Sequence, residues 1–333
     1  MRFGVFIPQG WRFDLVGVPD AEQWPLMRRL AQHADSVAGW ESLWIYDHFH
    51  TTPVPSEEAT HEAWTLMSAF AASTSRVRLG QMCTCMAYRN PAYLAKVAAT
   101  VDHVSAGRLE MGIGAGWYEH EWRAYGYGFP GAKERLGRLR EGVEIFRQAW
   151  TTGTSTLDGT YYQVDGALCR PLPVQRTSPR NNIPIWVAGG GEQVTLKIAA
   201  QYADYTNFDG TAEGFAHKSG ILDGHCATLG RDPREITRSA NYNVIAGASE
   251  AEVAERLAEY RSRLVASLGE AAADEYHRRT TSQGLIGTPE QIVAKLSAME
   301  ALGMTYAITY HPLSAYDLSS QELFETEVIP ALA

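Results

Sequence analysis

The segment Gly112-Ile113-Gly114-Ala115-Gly116-Trp117-Tyr118-Glu119-His120-Glu121-Trp122 follows a short apolar run, Arg108-Leu109-Glu110-Met111, that reads as a strand. Glycine at alternate positions removes three side chains where a strand ends, so a flat or anionic ligand can approach the backbone there. Aromatic and titratable groups come next. The spacing is GxGxG and not GxGxxG, and no acidic residue stands at the ribose distance after a second strand, so a dinucleotide fingerprint is a weak reading. Glu119, His120 and Glu121 are neighbours that cannot all face one pocket, and one or two of them are expected to be solvated or helix-capping.

Three other segments carry groups able to do chemistry. Trp44-Ile45-Tyr46-Asp47-His48-Phe49-His50 ends a strand. There Asp47 can accept a hydrogen bond and His48 can exchange a proton near neutral pH. The plain alternative is an Asp that caps the following loop with a His packed against it. In Gln81-Met82-Cys83-Thr84-Cys85 the two thiols lie two residues apart and point to one face. Thiolate zinc sites want more ligands at wider spacing, so small, soft side chains against a flat ring fit better and no metal is expected. Ile183-Pro184-Ile185-Trp186-Val187-Ala188-Gly189-Gly190-Gly191-Glu192-Gln193 reads as a strand, three glycines and a helix start. Outward N–H groups and the helix dipole there favour an anion such as a cofactor phosphate, against the alternative of a plain tight turn. His311 either touches a substrate or caps the last strand.

The elements that must position these groups alternate along the chain. Strands are expected at Phe3–Pro8, Ser42–Tyr46, Val77–Thr84, Leu109–Ile113, Ile183–Ala188, Tyr205–Phe208, Asn241–Ala246 and Thr305–Tyr310. Helices are expected at Ala21–Gly39, Glu62–Ser73, Pro91–Val104, Glu134–Trp150, Glu192–Tyr202, Glu213–Leu229, Glu250–Leu268 and Gln321–Leu332. Eight strand–helix units with near-continuous apolar strands predict an α/β fold of the (β/α)8 TIM-barrel type, with a doubly wound sheet as the alternative. Three stretches, about 115–133, 153–182 and 269–288, exceed ordinary loop lengths. No linker divides the chain, so residues 1–333 are expected to form one domain.

Composition narrows the function classes. The net charge is −9 and no run of Lys or Arg exceeds two, so nucleic acid is not an expected partner. No apolar stretch approaches the roughly 20 residues that span a bilayer, and Met1–Pro8 is too short and strand-like for a secretory signal. Four cysteines, Cys83, Cys85, Cys169 and Cys226, form no CxxC pair and read as reduced thiols of a cytoplasmic protein.

Taken together, these motifs resemble the luciferase-like monooxygenase superfamily, in particular its coenzyme F420-dependent oxidoreductases. The resemblance extends over nearly the whole chain. It rests on Trp44-Ile45-Tyr46-Asp47-His48-Phe49, on Tyr88-Arg89-Asn90-Pro91, on Ser105 through Trp117 and on Pro184-Ile185-Trp186-Val187-Ala188-Gly189-Gly190-Gly191. Tyr161-Tyr162 before Pro171-Leu172-Pro173 fits the same pattern. The resemblance implies a barrel of the bacterial luciferase-like type with lid insertions and a deazaflavin or flavin across its mouth. It implies that the ring rests on a bulge in the third strand whose Met82–Cys83 peptide bond is cis. By position, Asp47 and Cys85 would contact the cofactor head, and Ala115, Gly116 and His120 its middle. Gly189, Gly190 and Gly191 would form the turn around its phosphate, which Gly190, Gly191, Gln193 and Val194 would receive.

His48 matches the histidine that serves as acid or base in the sugar-phosphate dehydrogenases of this group. Those enzymes carry a catalytic Glu directly after the pair matching Ala115-Gly116, where this chain has Trp117. Trp has no titratable group, so that proton-transfer role is absent and a flatter, more apolar substrate pocket is expected. The expected activity is hydride transfer between the C5 carbon of coenzyme F420 and a small organic substrate, in a homodimer. The alternatives are an FMN-dependent monooxygenase using O2 and reduced flavin, and a barrel that binds without turnover.

Overall fold

The computed structural model describes residues 1–177 and 182–332. Residues 178–181 of the predicted long stretch 153–182 thus lie outside the described residues. The strands along the chain are β1 (Arg2–Phe6), β2 (Trp40–Ile45), β3 (Arg78–Gln81), β4 (Thr84–Cys85), β5 (Leu109–Gly114), β6 (Thr154–Asp158), β7 (Gln163–Leu168), β8 (Ile185–Ala188), β9 (Tyr205–Asn207), β10 (Thr237–Ala246), β11 (Leu285–Gly287) and β12 (Tyr306–Tyr310). Around the sheet the order is β10-β12-β1-β2-β3-β5-β8-β9, and β9 pairs back to β10, so eight strands close a (β/α)8 TIM barrel. The pairings β1–β2, β1–β12, β10–β12, β3–β5, β5–β8 and β8–β9 are parallel. All eight predicted strands are present. They read as apolar runs because a parallel strand between helices and barrel interior is covered on both faces, and β5 and β12 are buried at every residue.

The helices follow from local signals. In α1 (Asp20–Ser36), Asp20 and Glu22 stand in the first turn, His33 in the last, and the buried set Gln23, Met27, Leu30, Ala31 and Ala34 repeats at helical spacing. In α3 (Pro91–Val104), Pro91 takes a first-turn position and the Asn90 side chain accepts from the N–H groups of Ala92 and Tyr93.

The chain forms two compact units. The first comprises Met1–His61, Phe208–His217 and Thr237–Ala333. Its strands pack an interior in which the Trp44 indole donates to Ser42 Oγ at 2.6 Å and Ser42 Oγ lies 2.6 Å from the Tyr306 hydroxyl. Gly4 makes room for that indole, since a Cβ there would lie 2.5 Å from Trp44 Nε1. The second unit comprises Glu62–Asn207 and Lys218–Ile236. Its interior holds Glu110, 3% exposed, which accepts from Arg78 Nε and, at 2.6 Å, from Trp186 Nε1. Trp186 stacks on Tyr205 at 4.0 Å.

Four expectations are corrected. The third strand is not continuous over Val77–Thr84: β3 stops at Gln81 and β4 resumes at Thr84. The helix expected from Glu192 begins at Thr195, as α6 (Thr195–Tyr202), because Glu192 is held in a turn by the neighbours described below. The stretch 153–182 contains the antiparallel hairpin β6–β7. The stretch 269–288 is mostly a helix (Glu270–Thr281) followed by β11, and a further helix covers Pro289–Ala301. The Glu270–Thr281 helix buries only Ala273, Tyr276 and Thr280, too narrow a stripe to stand out as an amphipathic pattern.

Candidate active site

In the first unit, the C-terminal end of β2 is fixed by a side chain from beyond β1. Gln9 Nε2 donates to Tyr46 O at 2.8 Å, and the Tyr46 N–H donates to Gln9 Oε1 at 2.9 Å. This pair substitutes for strand pairing and sets where Asp47 and His48 leave the barrel. Above it rises a run of rings: Phe6 stacks on Tyr46 at 4.2 Å, Trp11 lies 4.1 Å from Tyr46, and His48 stacks on Trp11 at 4.2 Å with 2° between planes. His48 is half-buried and Asp47 is 2% exposed. A histidine clamped flat on an indole keeps one orientation, as proton exchange at a defined atom requires. Nearby, Asp14 accepts from the Gly10 N–H at 2.6 Å and from the Tyr310 hydroxyl at 2.9 Å, while burial pushes its carboxyl above the ordinary range despite those bonds.

His311 does not join this group. It is 2% exposed, its ring lies edge-on to Trp40 and Phe324, and Nε2 is 3.2 Å from Thr309 Oγ1. Burial holds its pKa down to about 3. Of its two sequence readings, the structural one applies.

In the second unit, the break between β3 and β4 is a cis peptide bond at Met82–Cys83. Thr84 Oγ1 donates to Gln81 Oε1 at 2.6 Å across it, and β4 pairs with β5 through Thr84–Ile113 and Cys85–Gly114. Met82 and Cys85 are buried and Cys83 is half-buried. The alternating glycines of β5 and its exit serve this bulge. A Cβ on Gly114 would lie 2.6 Å from Cys83 Sγ; one on Gly116, at φ +78°, would lie 2.5 Å from Cys85 Sγ and 2.8 Å from the Trp122 ring. At these two positions protein sulfur and indole occupy the space a Cβ would take. Two N–H donors beside the bulge, Gln81 Nε2 and Trp122 Nε1, are shielded from solvent with no acceptor among the described residues.

Ala115 is half-buried, and His120 is exposed on the short helix Glu119–Ala124. Glu121 is fully buried and accepts from the Tyr88 hydroxyl at 2.9 Å, whereas Glu119 is exposed and paired with Arg123. The three polar neighbours thus face different surroundings, as their adjacency requires.

The turn after β8 has Gly189 at φ +116°, its N–H donating to Asn207 O at 2.9 Å. Gly190 is half-buried and Gly189, Gly191, Gln193 and Val194 are exposed. Glu192 is held by Lys218 Nζ at 2.5 Å and, through its carbonyl, by His225 Nε2 at 2.8 Å. Exposed backbone, a helix N-terminus and an ammonium group together suit an anion. Sequence reading missed Gln9 and Lys218, whose partners Tyr46 and Glu192 are distant in the chain. No group of three or more His, Cys, Asp or Glu able to hold a metal ion occurs among the described residues.

The family model for luciferase-like monooxygenases matches residues 1–306. An F420-dependent glucose-6-phosphate dehydrogenase of Amycolatopsis mediterranei (strain U-32) is 34% identical over 170 residues, 50% of this chain and 48% of that one. The pyrimidine monooxygenase RutA of Bradyrhizobium sp. (strain BTAi1 / ATCC BAA-1182) is 31% identical over 213 residues, 62% of this chain and 56% of that one. The chain therefore spans about half the length of the curated relatives it matches. Among solved structures, the monooxygenase RslO1 from Streptomyces bottropensis superposes over 100% of both chains with a TM-score of 0.81 at 22% identity, a likeness of fold. The family match runs from the first residue into the last barrel strand, and the chain belongs to the luciferase-like monooxygenases.

Proposed function

We propose that the protein is a coenzyme F420-dependent oxidoreductase that transfers a hydride between the deazaflavin C5 and a small organic substrate. The observation that carries this reading is the identity, 34% and 37% over half the chain, to dehydrogenases named F420-dependent. It acts, in this reading, as a single-domain chain over residues 1–333 in a cytoplasmic homodimer. No helix among the described residues is long and apolar enough to cross a membrane.

The residues present fit such a cofactor. Gln81 Nε2 and Trp122 Nε1 are buried donors that lack acceptors among the described residues, and a ring edge carrying carbonyl oxygens supplies acceptors. When bound, the deazaflavin supplies or accepts a hydride at C5. From the second unit, Met82, Cys83 and Cys85 would support the ring, and Ala115, Gly116 and His120 would border its middle. Gly189, Gly190, Gly191, Gln193 and Val194, with Lys218, would hold its phosphate. From the first unit, Asp47 would contact the ring's polar edge. His48, held flat on Trp11, would donate or take the proton that balances charge on the substrate. Burial of Trp11 and Tyr46 on the same side keeps water from competing.

An FMN-dependent monooxygenase is the second reading, supported by the 31% identity to a pyrimidine monooxygenase. Titrating the purified protein with each cofactor separates them. Tight F420 binding, with substrate-dependent oxidation of the reduced cofactor under anaerobic conditions, is the expected result. Tight binding of FMN with none of F420 rejects the first reading. Replacing His48 with alanine is expected to slow turnover by roughly 10²–10⁴ with the melting temperature unchanged; unaltered turnover would remove His48 from the proton-transfer role, and cofactor binding by the native protein with no turnover of any substrate would instead support a barrel that binds without catalysis.

A further inference from the structure

We propose that Arg12, Tyr46 and Trp11 form a subsite for a planar carboxylate on the substrate, beside His48. The inference deepens the proposed function and rests on its premise that substrate enters at this end of the first unit.

The guanidinium carbon of Arg12 lies over three rings, 4.5 Å from Tyr310 and 5.0 Å from both Trp11 and Tyr46. Nη1 of Arg12 donates to Asn243 Oδ1 at 2.6 Å. Its Nε, the Trp11 Nε1 and the Tyr46 hydroxyl are shielded from solvent and have no hydrogen-bond partner among the described residues. Trp11 and Tyr46 are in ring contact and both lie under the same guanidinium, so these groups are neighbours rather than three separate anomalies. Buried polar groups are nearly always paired, and a buried donor without an acceptor costs about 1–3 kcal/mol.

The missing partner can be specified by sign and shape. All three groups donate, so it must supply acceptors. Arg12 is always cationic, and the nearby Asp14 carboxylate already accepts from Gly10 and Tyr310. The phenols packed on the guanidinium, Tyr46 and Tyr310, are kept neutral because burial raises their pKa. Tyr260 and Tyr276, which also bear on it, are kept neutral for the same reason. A cation is therefore excluded, and a carboxylate accepts a charge-assisted bond from a guanidinium that is stronger than the bond a neutral carbonyl accepts. A carboxylate offers several acceptor sites in one plane, as an arginine fork and two ring-borne donors require. The stack from Phe6 through Tyr46 and Trp11 to His48 gives a flat apolar wall for the rest of such a molecule.

The probe pair is benzoate and its uncharged counterpart benzamide, titrated calorimetrically into the intact protein. Benzoate is expected to bind at least about tenfold more tightly than benzamide. Arg12→Gln is expected to bring that ratio to about one, and Tyr46→Phe to weaken benzoate by roughly threefold. Equal affinity for the two probes in the native protein overturns the proposal, as does undiminished benzoate binding by a folded Arg12→Gln variant. Thermal melting monitors folding; should Arg12→Gln not fold, the native-protein ratio and Tyr46→Phe decide. Repeating the benzoate titration with saturating cofactor separates substrate from cofactor carboxylates. Retained binding supports the substrate assignment, and competition overturns it. Failure of both F420 and FMN to bind would sink the proposed function alone, since the benzoate-to-benzamide ratio is measured without either.

Discussion

Replacing Gly114 with alanine places a methyl carbon 2.6 Å from Cys83 Sγ, with Ala188 O next at 3.7 Å. Carbon and sulfur cannot approach so closely, and one must move. Overpacking of a formed interior costs about 1–3 kcal/mol. Cys83 is half-buried and can rotate partly away, which points to the lower half of that range. Gly116→Ala is harsher. It meets Cys85 Sγ at 2.5 Å and Trp122 at 2.8 Å, both buried, and it forces alanine into φ +78°, which adds roughly 1–2 kcal/mol. The expected losses are about 2 and about 4 kcal/mol. With an unfolding entropy of about 2.1 cal/mol/K per residue over 333 residues, they lower the melting temperature by roughly 3 and 6 °C. A double-mutant cycle makes the test specific. Cys83→Ala combined with Gly114→Ala is expected to recover most of the loss, because the clash is with one sulfur. Cys85→Ala combined with Gly116→Ala is expected to recover only part, because the backbone angle and the Trp122 contact persist. Additive effects at 83 and 114, or a Gly114→Ala protein that melts normally yet no longer binds cofactor, would refute the view that the sulfurs fill these gaps.

Other outcomes can be checked in parallel. His33 has its pKa raised by the hydrogen bond it donates to Glu325, and Glu325 is held below the usual carboxylate range because bonds from His33, Gln321 and Trp40 outweigh its burial. The His33 contribution is complete below its ordinary pKa near 6.5 and fades as pH rises through the raised value. The Glu325 contribution is complete above its ordinary 4.5 and fades as pH falls through the lowered value. Melting temperature is thus expected to fall on both sides of a window between these values, and His33→Gln to remove the alkaline decline. His311→Phe is expected to leave the pH profile of turnover unchanged, because the imidazole stays neutral down to about pH 3; a shifted profile would contradict its structural assignment. Lys218→Met leaves Glu192 unpaired beside the glycine turn, and cofactor affinity measured by fluorescence should drop about tenfold; unchanged affinity would remove Lys218 from the phosphate site.

The barrel is legible in the chain because a strand covered on both faces must be apolar along its length, and eight such runs alternate with helical patterns. Site elements whose cause is local were legible too. Asp47 and His48 stand directly at the end of β2, and the glycines directly after β8. What escaped depends on partners far away. The turn at 192–194 is anchored by Lys218 and His225, and nothing in Glu192-Gln193-Val194 itself forbids a helix. A glycine records only that a side chain is missing. Whether a ligand or a neighbour occupies the gap is set by how β4 pairs with β5, which brings the Cys83 and Cys85 sulfurs against it. Likewise Asp14 and Tyr310 meet across 296 positions of sequence. The helix Glu270–Thr281 buries only Ala273, Tyr276 and Thr280, whereas the helix Pro289–Ala301 carries its signals in the sequence, Thr288 and Pro289 at its start and Ile292, Leu296 and Met299 at helical spacing.

The tryptophan seated over Gly4 has a bearing on traffic. Trp44, Ser42 and Tyr306, all almost wholly buried, seal the stretch bounded by β1, β2 and β12 below Tyr46. In the proposed function, a reactant beside His48 therefore does not pass between these strands, and it reaches the histidine from the side of Tyr46 and Trp11.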